Sequence, residues 1–328
     1  GPGMRVALYL EKDERYVVLL LALLRAGCVA CPVSTRVPVE GVASLLRVAA
    51  CSAVISDQEL PALDSEGLTM LRPDSLLWEA PVSYYPEPSN IPINRPATIV
   101  FTSGSTGTPK AALHTFGNHY YSALGSAANI PLAPGDRWLH SLPLYHVGGL
   151  SIVFRCLISG AAMVIPEPGI PLGEAITSTG ATHVSLVATQ LRRLLSEGGL
   201  PGGLKAVLMG GGPVPDSLVD EAIASGLPIH TSYGLTEMAS QVTTTPPDAS
   251  RPALHTSGRV LPHREVSVAE DGEILVRGDT LFAGYVAGDG VDRRLDDEGW
   301  FHTKDLGELD PEGYLRVTGR RDNQFISG

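Results

Sequence analysis

Cysteine, aromatic residues and positive charge are all scarce in this sequence of 328 residues. It holds four cysteines and 6% aromatic residues, and its 24 basic residues are outnumbered by 35 acidic ones. So few cysteines in so long a chain do not make a disulfide framework, and they favour buried thiols and a cytoplasmic location. The net charge of −11 argues against nucleic acid or an anionic membrane surface as a nonspecific partner.

Long apolar segments are lacking as well. The longest apolar run, residues 17–24, is too short to span a bilayer and stops at Arg25, so it predicts a core helix. No secretory segment is visible, and residues 1–3 ahead of Met4 resemble a cloning scar. What remains is a globular composition, 44% hydrophobic, large enough for more than one structural unit.

Strands and helices alternate along residues 4–245, which predicts an α/β fold with two doubly wound αβαβα subdomains on parallel sheets. Residues 60–95 interrupt the alternation with many prolines and are expected to form a linker or surface excursion. The expected strands are 6–10, 29–33, 53–56, 98–101, 138–142, 161–165, 182–186, 205–209 and 228–232. The expected helices are 13–27, 39–49, 118–129, 150–159, 172–178, 189–196 and 215–225.

The character of the sequence changes after residue 245. Short strands between Asp-Gly and Glu-Gly turns predict a small β-barrel or a distorted sheet over residues 246–319. Residues 320–328 are expected to form a hinge.

The most informative stretch is residues 98–110. It begins as a β-branched and aromatic run, typical of a buried strand, and breaks into a loop of hydroxyl and glycine residues. Glycine lets successive backbone N–H groups turn toward one centre, and the hydroxyls and a final lysine add donors, so the loop suits a polyphosphate. A flexible surface turn is the alternative, but it needs neither so many hydroxyls nor a strand leading into it. The loop comprises Thr102, Ser103, Gly104, Ser105, Thr106, Gly107, Thr108, Pro109 and Lys110.

This loop differs from the common phosphate loop of kinases, in which a lysine followed by Ser or Thr opens a helix. Here Lys110 follows Pro109, which has no N–H to donate and blocks entry into a helix, and it precedes Ala111. The stretch instead resembles the phosphate-binding signature of the acyl-adenylate-forming superfamily: acyl- and aryl-CoA ligases, adenylation domains of peptide synthetases, and luciferases. Ala111 stands where that superfamily usually has glycine.

The resemblance implies the large N-terminal domain of an enzyme that uses ATP and Mg²⁺. In this superfamily a carboxylate attacks the α-phosphate of ATP, pyrophosphate leaves, and the acyl-AMP reacts with a thiol, normally that of coenzyme A. A mobile C-terminal lid domain usually carries a lysine that drives adenylation. Because the sequence ends at the hinge near Asp322, a truncated and weakly active ligase is expected. The expected partners are small molecules, with no nucleic acid and no membrane, and a homodimer is left open.

Two further motifs resemble nucleotide-binding parts of the superfamily. A glycine turn after the strand at 205–209 would let a flat ring approach the backbone. In a Tyr-Gly-x-Thr-Glu motif, Tyr233 would offer a face to adenine, Thr236 would hydrogen-bond the α-phosphate and Glu237 would ligate Mg²⁺. Alone, such a Thr-Glu pair is more often a helix cap. The residues expected to bind the nucleotide here are Gly211, Gly212, Pro213, Ser232, Tyr233 and Gly234, together with Thr102 to Gly107.

A third motif, residues 300–307, resembles the aspartate loop of the superfamily. Asp305 would accept hydrogen bonds from the ribose hydroxyls, and Arg320 would reach the same sugar or the phosphate. Lys304 stands where the superfamily usually has glycine, so its side chain bears on the conformation of this turn.

The acid end of the substrate is expected near residues 144–155. His146 follows Pro143 and lies where the superfamily has a gate to the acyl pocket, although a lone histidine is more often structural. Arg155 interrupts an apolar helix, so it needs an internal ion pair, which is the more common case, or an anionic ligand. The residues expected to bind the acid are His146, Gly149, Leu150, Arg155, Gly210, Leu235, Ser240 and Gln241, and those expected to be catalytic are Thr236, Glu237, His146 and Lys110.

Shorter stretches around residues 115–121, 142–151, 185–191 and 236–242 are similar to one subgroup, the o-succinylbenzoate–CoA ligases of menaquinone synthesis. That subgroup implies an aromatic acid with a second carboxylate. Another acyl- or aryl-CoA ligase and a peptide-synthetase adenylation domain are the nearest alternatives. A nucleotide-binding module without catalysis is the alternative from a different class.

Overall fold

The structure, a computed structural model, describes residues 1–60, 68–77, 90–102, 109–198, 202–288 and 290–321. The chain forms two compact units. The first comprises Gly1–Asn118, Leu144–His146 and Phe282–Arg293, and the second comprises His119–Pro143, Val147–Leu281 and Arg294–Gly328. No helix in the described ranges is both long and apolar enough to cross a membrane.

An eight-stranded sheet organises the first unit. Its strands are β1 (Arg5–Tyr9), β2 (Val29–Pro32), β3 (Ala53–Ser56), β4 (Thr69–Leu71), β5 (Pro96–Thr102), β6 (Lys110–Thr115), β16 (Gly284–Ala287) and β17 (Gly290–Asp292). The strand order is β17-β16-β6-β5-β2-β1-β3-β4. The neighbouring pairs β5–β2, β2–β1, β1–β3 and β3–β4 are parallel, and the pairs β17–β16, β16–β6 and β6–β5 are antiparallel. Strands β1, β2 and β3 are buried along nearly their whole length, as parallel strands covered on both faces are.

Three helices belong to the first unit: α1 (Glu14–Arg25), α2 (Val39–Val48) and α3 (Pro73–Leu77). Asp13 caps the N-terminus of α1, where its Oδ1 accepts a hydrogen bond from Tyr16 N at 3.0 Å. Beyond its end, Gly27 adopts a φ of +78°, which glycine takes without a steric cost.

Strands β5 and β6 form an antiparallel pair on either side of residues 103–108. Lys110 opens β6 opposite Thr102, so the chain after Pro109 enters a strand and not the helix of a kinase-type loop. Ala111 is 1% exposed and keeps a negative φ, so this strand accommodates alanine in place of the usual glycine. The loop residues Ser103, Gly104, Ser105, Thr106, Gly107 and Thr108 lie outside the described residues.

A seven-stranded sheet organises the second unit. Its strands are β7 (Arg137–Leu139), β8 (Ala162–Val164), β9 (His183–Leu186), β10 (Ala206–Met209), β11 (Ile229–Leu235), β12 (Ser240–Thr244) and β13 (Arg259–Val260). The strand order is β13-β12-β11-β10-β9-β7-β8. The neighbouring pairs β11–β10, β10–β9, β9–β7 and β7–β8 are parallel. The helices are α4 (Phe116–Asn129, begun in the first unit), α5 (Val147–Ser159), α6 (Leu172–Thr179), α7 (Ala188–Ser196), α8 (Asp216–Ala224) and α9 (Arg251–Leu254).

The second unit also contains a four-stranded antiparallel sheet. Its strands, in the order β14-β15-β18-β19, are β14 (Arg264–Val268), β15 (Glu273–Gly278), β18 (Phe301–Leu309) and β19 (Leu315–Arg320). The register shifts between Glu273 and Leu275 and again between Leu306 and Gly307. These irregularities correspond to the distorted sheet expected for this part of the sequence.

The predicted fold class is confirmed, and some local predictions differ from the structure. Residues 301–307 of the expected aspartate loop lie within strand β18, and strand β11 continues to Leu235, beyond its expected end at residue 232. Strands β4 and β6 were not predicted, since β4 is a short, partly exposed edge strand and β6 is rich in alanine. Strand β16 pairs with β6 and β17 with β16, so these two strands extend the first sheet.

Candidate active site

A cavity of about 570 Å³ lies in the second unit, where the strands β10 and β11 end. In open α/β sheets, ligands bind beyond the carboxyl ends of the parallel strands. Five separate parts of the sequence contribute to its wall, and four of them contain residues predicted to bind nucleotide. The lining residues are Gly211, Gly212, Pro213, Val214, Asp216, Thr231, Ser232, Tyr233, Gly234, Leu254, His255, Thr256, Ser257, Asp305, Arg316, Val317, Thr318, Gly319 and Arg320.

The glycine turn after β10 forms one side of this cavity. Gly211 has a φ of +79° and a Cβ there would lie 3.1 Å from Val187 Cγ1, so both the backbone and the space favour glycine. A Cβ on Gly212 would meet nothing within 4 Å, so the backbone at this residue is accessible. The turn therefore presents a flat backbone surface to the cavity.

Tyr233 and Asp305 form the polar centre of the cavity. The Tyr233 hydroxyl donates to Asp305 Oδ2 at 2.7 Å, and Arg320 Nη1 lies 3.7 Å from Asp305 Oδ1. Burial, and then the neighbouring Asp305 carboxylate, raise the pKa of Tyr233 well above its usual value, so the phenol stays protonated. This pair presents an oriented carboxylate, a good acceptor for hydroxyl groups of a ligand.

Thr236 and Glu237 follow directly in a single 3₁₀ turn, Thr236–Met238. Both side chains are partly buried. Ala239 and Ser240, which follow the turn, have φ values of +53° and +128°, both unfavourable for residues with a side chain. Within the described ranges, no three His, Cys, Asp or Glu side chains are grouped as metal ligands.

Arg155 lies on α5 and is only 3% exposed. Its Nη2 donates to Gln241 Oε1 at 2.7 Å and to Ser240 Oγ at 3.2 Å, and its guanidinium lies 5.0 Å from the centre of the Trp138 ring. Burial lowers the pKa of Arg155 from 12.5 to about 10, which still leaves it charged at neutral pH. Among the described residues, no carboxylate forms an ion pair with Arg155 and its Nε has no hydrogen-bond partner.

A second buried arginine, Arg264, lies near Arg155 and is 6% exposed. Its guanidinium donates to the carbonyl of Pro262 at 2.7 Å and to the carbonyl of Ser122 at 3.4 Å. Burial, and then the positive charge of Arg155, lower the pKa of Arg264 to about 9. The interior of this unit therefore holds two positive charges without an acidic partner among the described residues, an electrostatic environment that favours an anion.

A family model described as AMP-binding enzyme matches residues 1–286. The chain belongs to the AMP-binding enzyme family. This confirms the resemblance drawn from the phosphate-binding signature.

Relatives of this AMP-binding enzyme include 2-succinylbenzoate–CoA ligases. The protein of Bacillus cereus (strain AH820) is 32% identical over 340 residues, which cover 99% of this chain and 70% of that protein. The protein of Bacillus licheniformis is 38% identical over 254 residues, covering 74% of this chain and 53% of that protein.

Solved structures of o-succinylbenzoate–CoA synthetases are similar as well. The Bacillus subtilis enzyme in complex with ATP and magnesium has a TM-score of 0.90 and 32% identity, covering 100% of this chain and 71% of that one. A variant of the Escherichia coli enzyme with bound OSB-AMS has a TM-score of 0.84 and 33% identity, covering 99% of this chain and 69% of that one.

The site residues predicted for this AMP-binding enzyme are divided between its two units. Thr102, Lys110 and His146 belong to the first unit, and the other described site residues belong to the second. Lys110 Nζ lies 5.0 Å from the centre of the Tyr285 ring. Burial, and then the positive charge of Arg36, lower the pKa of His146, so it is neutral at pH 7.

Some predicted residues serve the framework of the AMP-binding enzyme. A Cβ on Gly149 would lie 2.1 Å from the carbonyl oxygen of Pro143, and one on Gly234 would lie 2.2 Å from that of Ser240. The Ser232 hydroxyl donates to the carbonyl of Met209 at 2.6 Å. Leu150 is fully buried in α5, Leu235 ends β11 and is partly buried, and a Cβ on Gly210 would lie 3.2 Å from Ser232 Oγ.

Sequence reasoning missed one wall of the cavity, residues 254–257 and 316–318. The Thr231 hydroxyl donates to the carbonyl of Thr256 at 2.7 Å and so holds the segment 254–257 against β11. The run Thr256-Ser257-Gly258 was a detectable signal, because hydroxyls beside a glycine resemble the phosphate-binding loop. Arg316 and Thr318 had no such signal, since they are alternate residues of an ordinary strand.

Proposed function

We propose that this AMP-binding enzyme joins 2-succinylbenzoate to coenzyme A through an acyl-adenylate made from ATP. One oxygen of the acid carboxylate attacks the α-phosphorus and the bond to pyrophosphate breaks. The thiol of coenzyme A then attacks the acyl carbon and AMP leaves. Acid–CoA ligase chemistry agrees with membership of the AMP-binding enzyme family. It also agrees with the similar proteins and the similar solved structures, all of which are named for 2-succinylbenzoate.

The observation that carries the proposal is the convergence of residues near 211, 233, 305 and 320 on one cavity. We infer that the adenosine part of ATP lies there. Adenine would lie between the glycine turn and Tyr233, and Asp305 would accept hydrogen bonds from the ribose hydroxyls. Arg320, 3.7 Å from Asp305, would compensate the charge of this carboxylate or contact the sugar or phosphate.

The triphosphate and Mg²⁺ are assigned to hydroxyls, backbone N–H groups and one carboxylate. We propose that Thr102 to Gly107 and Lys110 bind the phosphates, that Thr236 bonds the α-phosphate and that Glu237 ligates Mg²⁺. A single protein carboxylate suits Mg²⁺, which takes its other oxygen ligands from phosphates and water. When bound, the ion neutralises charge on the phosphate oxygens, which the approach of two anions requires.

The second carboxylate of the acid is assigned to Arg155. The guanidinium of Arg155 is buried and charged, and it has no acidic partner among the described residues. Such a group destabilises the folded state unless a ligand supplies an anion. Ser240 and Gln241 already accept from Arg155 Nη2 and hold the guanidinium in place. We propose His146 as a gate residue of the acyl pocket, since its imidazole is exposed and neutral and can adjoin an aromatic acid without adding charge.

Three further predictions stay proposals. The division at residue 245 is supported by the change from parallel to antiparallel pairing after β11. A cytoplasmic location is supported by four free, buried cysteines. Light scattering of the purified chain would test the homodimer.

The proposal is tested by measuring pyrophosphate release with ATP, Mg²⁺ and one acid at a time. We expect 2-succinylbenzoate to be preferred over benzoate and over a fatty acid of similar size. Preference for either of the latter would contradict the assigned acid and favour another acyl- or aryl-CoA ligase. Nucleotide binding without acid-dependent pyrophosphate release would favour a non-catalytic nucleotide-binding module, and release of ADP would favour a kinase.

A further inference from the structure

The backbone just before Asp305 has an unusual conformation. Lys304 has a φ of +65°, in the left-handed region that residues with a Cβ seldom adopt. It interrupts strand β18, where the pairing with β15 shifts register. Because Asp305 is the next residue, the direction of its carboxylate depends on this conformation being held.

Glu273, on the neighbouring strand β15, contacts the backbone at Lys304. Glu273 is 4% exposed, and its Oε1 accepts a hydrogen bond from Lys304 N at 2.8 Å. Its other oxygen, Oε2, lies 3.1 Å from His302 Nδ1 and 3.6 Å from Arg321 Nη1. A buried carboxylate with a backbone N–H on one oxygen and two basic groups on the other has little freedom to rotate.

The residue after Glu273 holds the same turn from a second side. The Thr303 hydroxyl donates to the carbonyl of Ile274 at 2.7 Å and accepts from Asp305 N at 3.0 Å. Two consecutive residues of β15 therefore fix the backbone of the segment that leads to Asp305. In the cavity, Asp305 in turn receives the hydrogen bond from Tyr233.

We propose that Glu273 is a positioning residue for the ribose-binding carboxylate of Asp305, acting through the backbone of Lys304. The inference rests on the proposed function, in which Asp305 accepts hydrogen bonds from the ribose hydroxyls. Loss of the Glu273 acceptor lets the Lys304 backbone relax toward an ordinary strand conformation. Asp305 then turns away from the sugar, while the adenine end of the cavity keeps its shape.

The experiment compares AMP with 2′,3′-dideoxy-AMP by calorimetry, because the second ligand lacks both ribose hydroxyls. We expect wild type to bind AMP about tenfold or more tightly than the dideoxy ligand, as for hydrogen bonds to a charged group. In Glu273→Ala, AMP affinity should fall by about tenfold and dideoxy-AMP affinity by less than about twofold, so the ratio between the ligands collapses.

Two further variants complete the design. Glu273→Asp keeps the charge but is too short to reach Lys304 N, so it should lose the same discrimination with less risk to folding. Glu265→Ala is the matched control, because Glu265 pairs with Arg277 at 2.7 Å on the exposed side of the same sheet and should keep the wild-type ratio.

The two levels of the proposal fail in different ways. If wild type binds both ligands equally, Asp305 does not bind the ribose and the proposed site is wrong. If wild type discriminates and both Glu273 variants discriminate equally well, Glu273 does not position Asp305. A parallel loss of affinity for both ligands would also contradict positioning, since it indicates a general structural role.

Discussion

Replacing Arg155 by methionine tests whether this arginine serves the fold or the substrate. Burial lowers its pKa from 12.5 to about 10, and that difference corresponds to roughly 3 kcal/mol of destabilisation at neutral pH. The sign follows from the lowered pKa of a base: the folded state disfavours the charged form, so the cost is present throughout the range below about pH 10. Removing the charge recovers this energy.

The recovery is offset by the contacts that Arg155 makes. Gln241 would lose a buried partner, at a cost of about 1–3 kcal/mol, and the Trp138 ring would lose a nearby cation worth about 0.5–2 kcal/mol. We therefore expect the free energy of unfolding of Arg155→Met in urea to lie within about 2 kcal/mol of wild type. Had Arg155 belonged to a buried ion pair, its removal would cost about 3–5 kcal/mol.

The same variant should fail in recognition of the acid. Affinity for a 2-succinylbenzoyl sulfamoyl-adenosine should fall by about a hundredfold, because a buried charge pair with the free carboxylate is lost. AMP affinity should stay unchanged. Arg251→Met, which removes a surface ion pair with Asp220, is the control and should change neither affinity. A loss of stability of about 3 kcal/mol or more together with unchanged acid affinity would refute the assignment of Arg155 to the substrate.

Three further perturbations have definite expected outcomes. Glu237→Gln should weaken Mg·ATP use in pyrophosphate exchange without changing the unfolding midpoint, and unchanged exchange would refute its role as a ligand. Lys304→Gly should stabilise the chain by about 0.5–1 kcal/mol, because its φ of +65° suits glycine, and a loss of stability would mean that the side chain makes compensating contacts. Glu273, and then Asp296, raise the pKa of His302 above its usual value. The protonated imidazole should therefore stabilise the folded chain fully below about pH 6.5, and this contribution should be lost as the pH rises through the higher pKa of the folded state. His302→Gln should remove that pH dependence of the unfolding midpoint, and an unchanged profile would contradict it.

Much of the proposed nucleotide site could be predicted because its residues lie in short, recognisable stretches of sequence. The glycine turn at 210–213 follows local rules about glycine and strand ends, whereas the roles of residues 233–237, Asp305 and Arg320 were expected from the resemblance to superfamily motifs. The alternation of strands and helices then predicts that such ends meet at one edge of a sheet. The cavity contains residues from three of those places together with Arg320, at the end of an antiparallel strand.

The rest depends on contacts between distant parts of the chain. Strand β6 has weak strand propensity and forms because β5 and β16 lie on either side of it. Likewise, the sequence around Arg155 could not tell an ion pair from a ligand site, because Ser240 and Gln241 approach from a strand more than 80 residues away. The left-handed conformation of Lys304 was also hidden, since it depends on Glu273 in the neighbouring strand.

The most direct test of the proposed function is the affinity of this chain for two stable acyl-adenylate analogues, measured by calorimetry. One carries the 2-succinylbenzoyl group and the other a benzoyl group, and both share the sulfamoyl-adenosine part. If the free carboxylate of the 2-succinylbenzoyl analogue binds buried Arg155, this analogue should bind about a hundredfold more tightly than the benzoyl analogue. Equal affinities for the two analogues would contradict 2-succinylbenzoate as the acid.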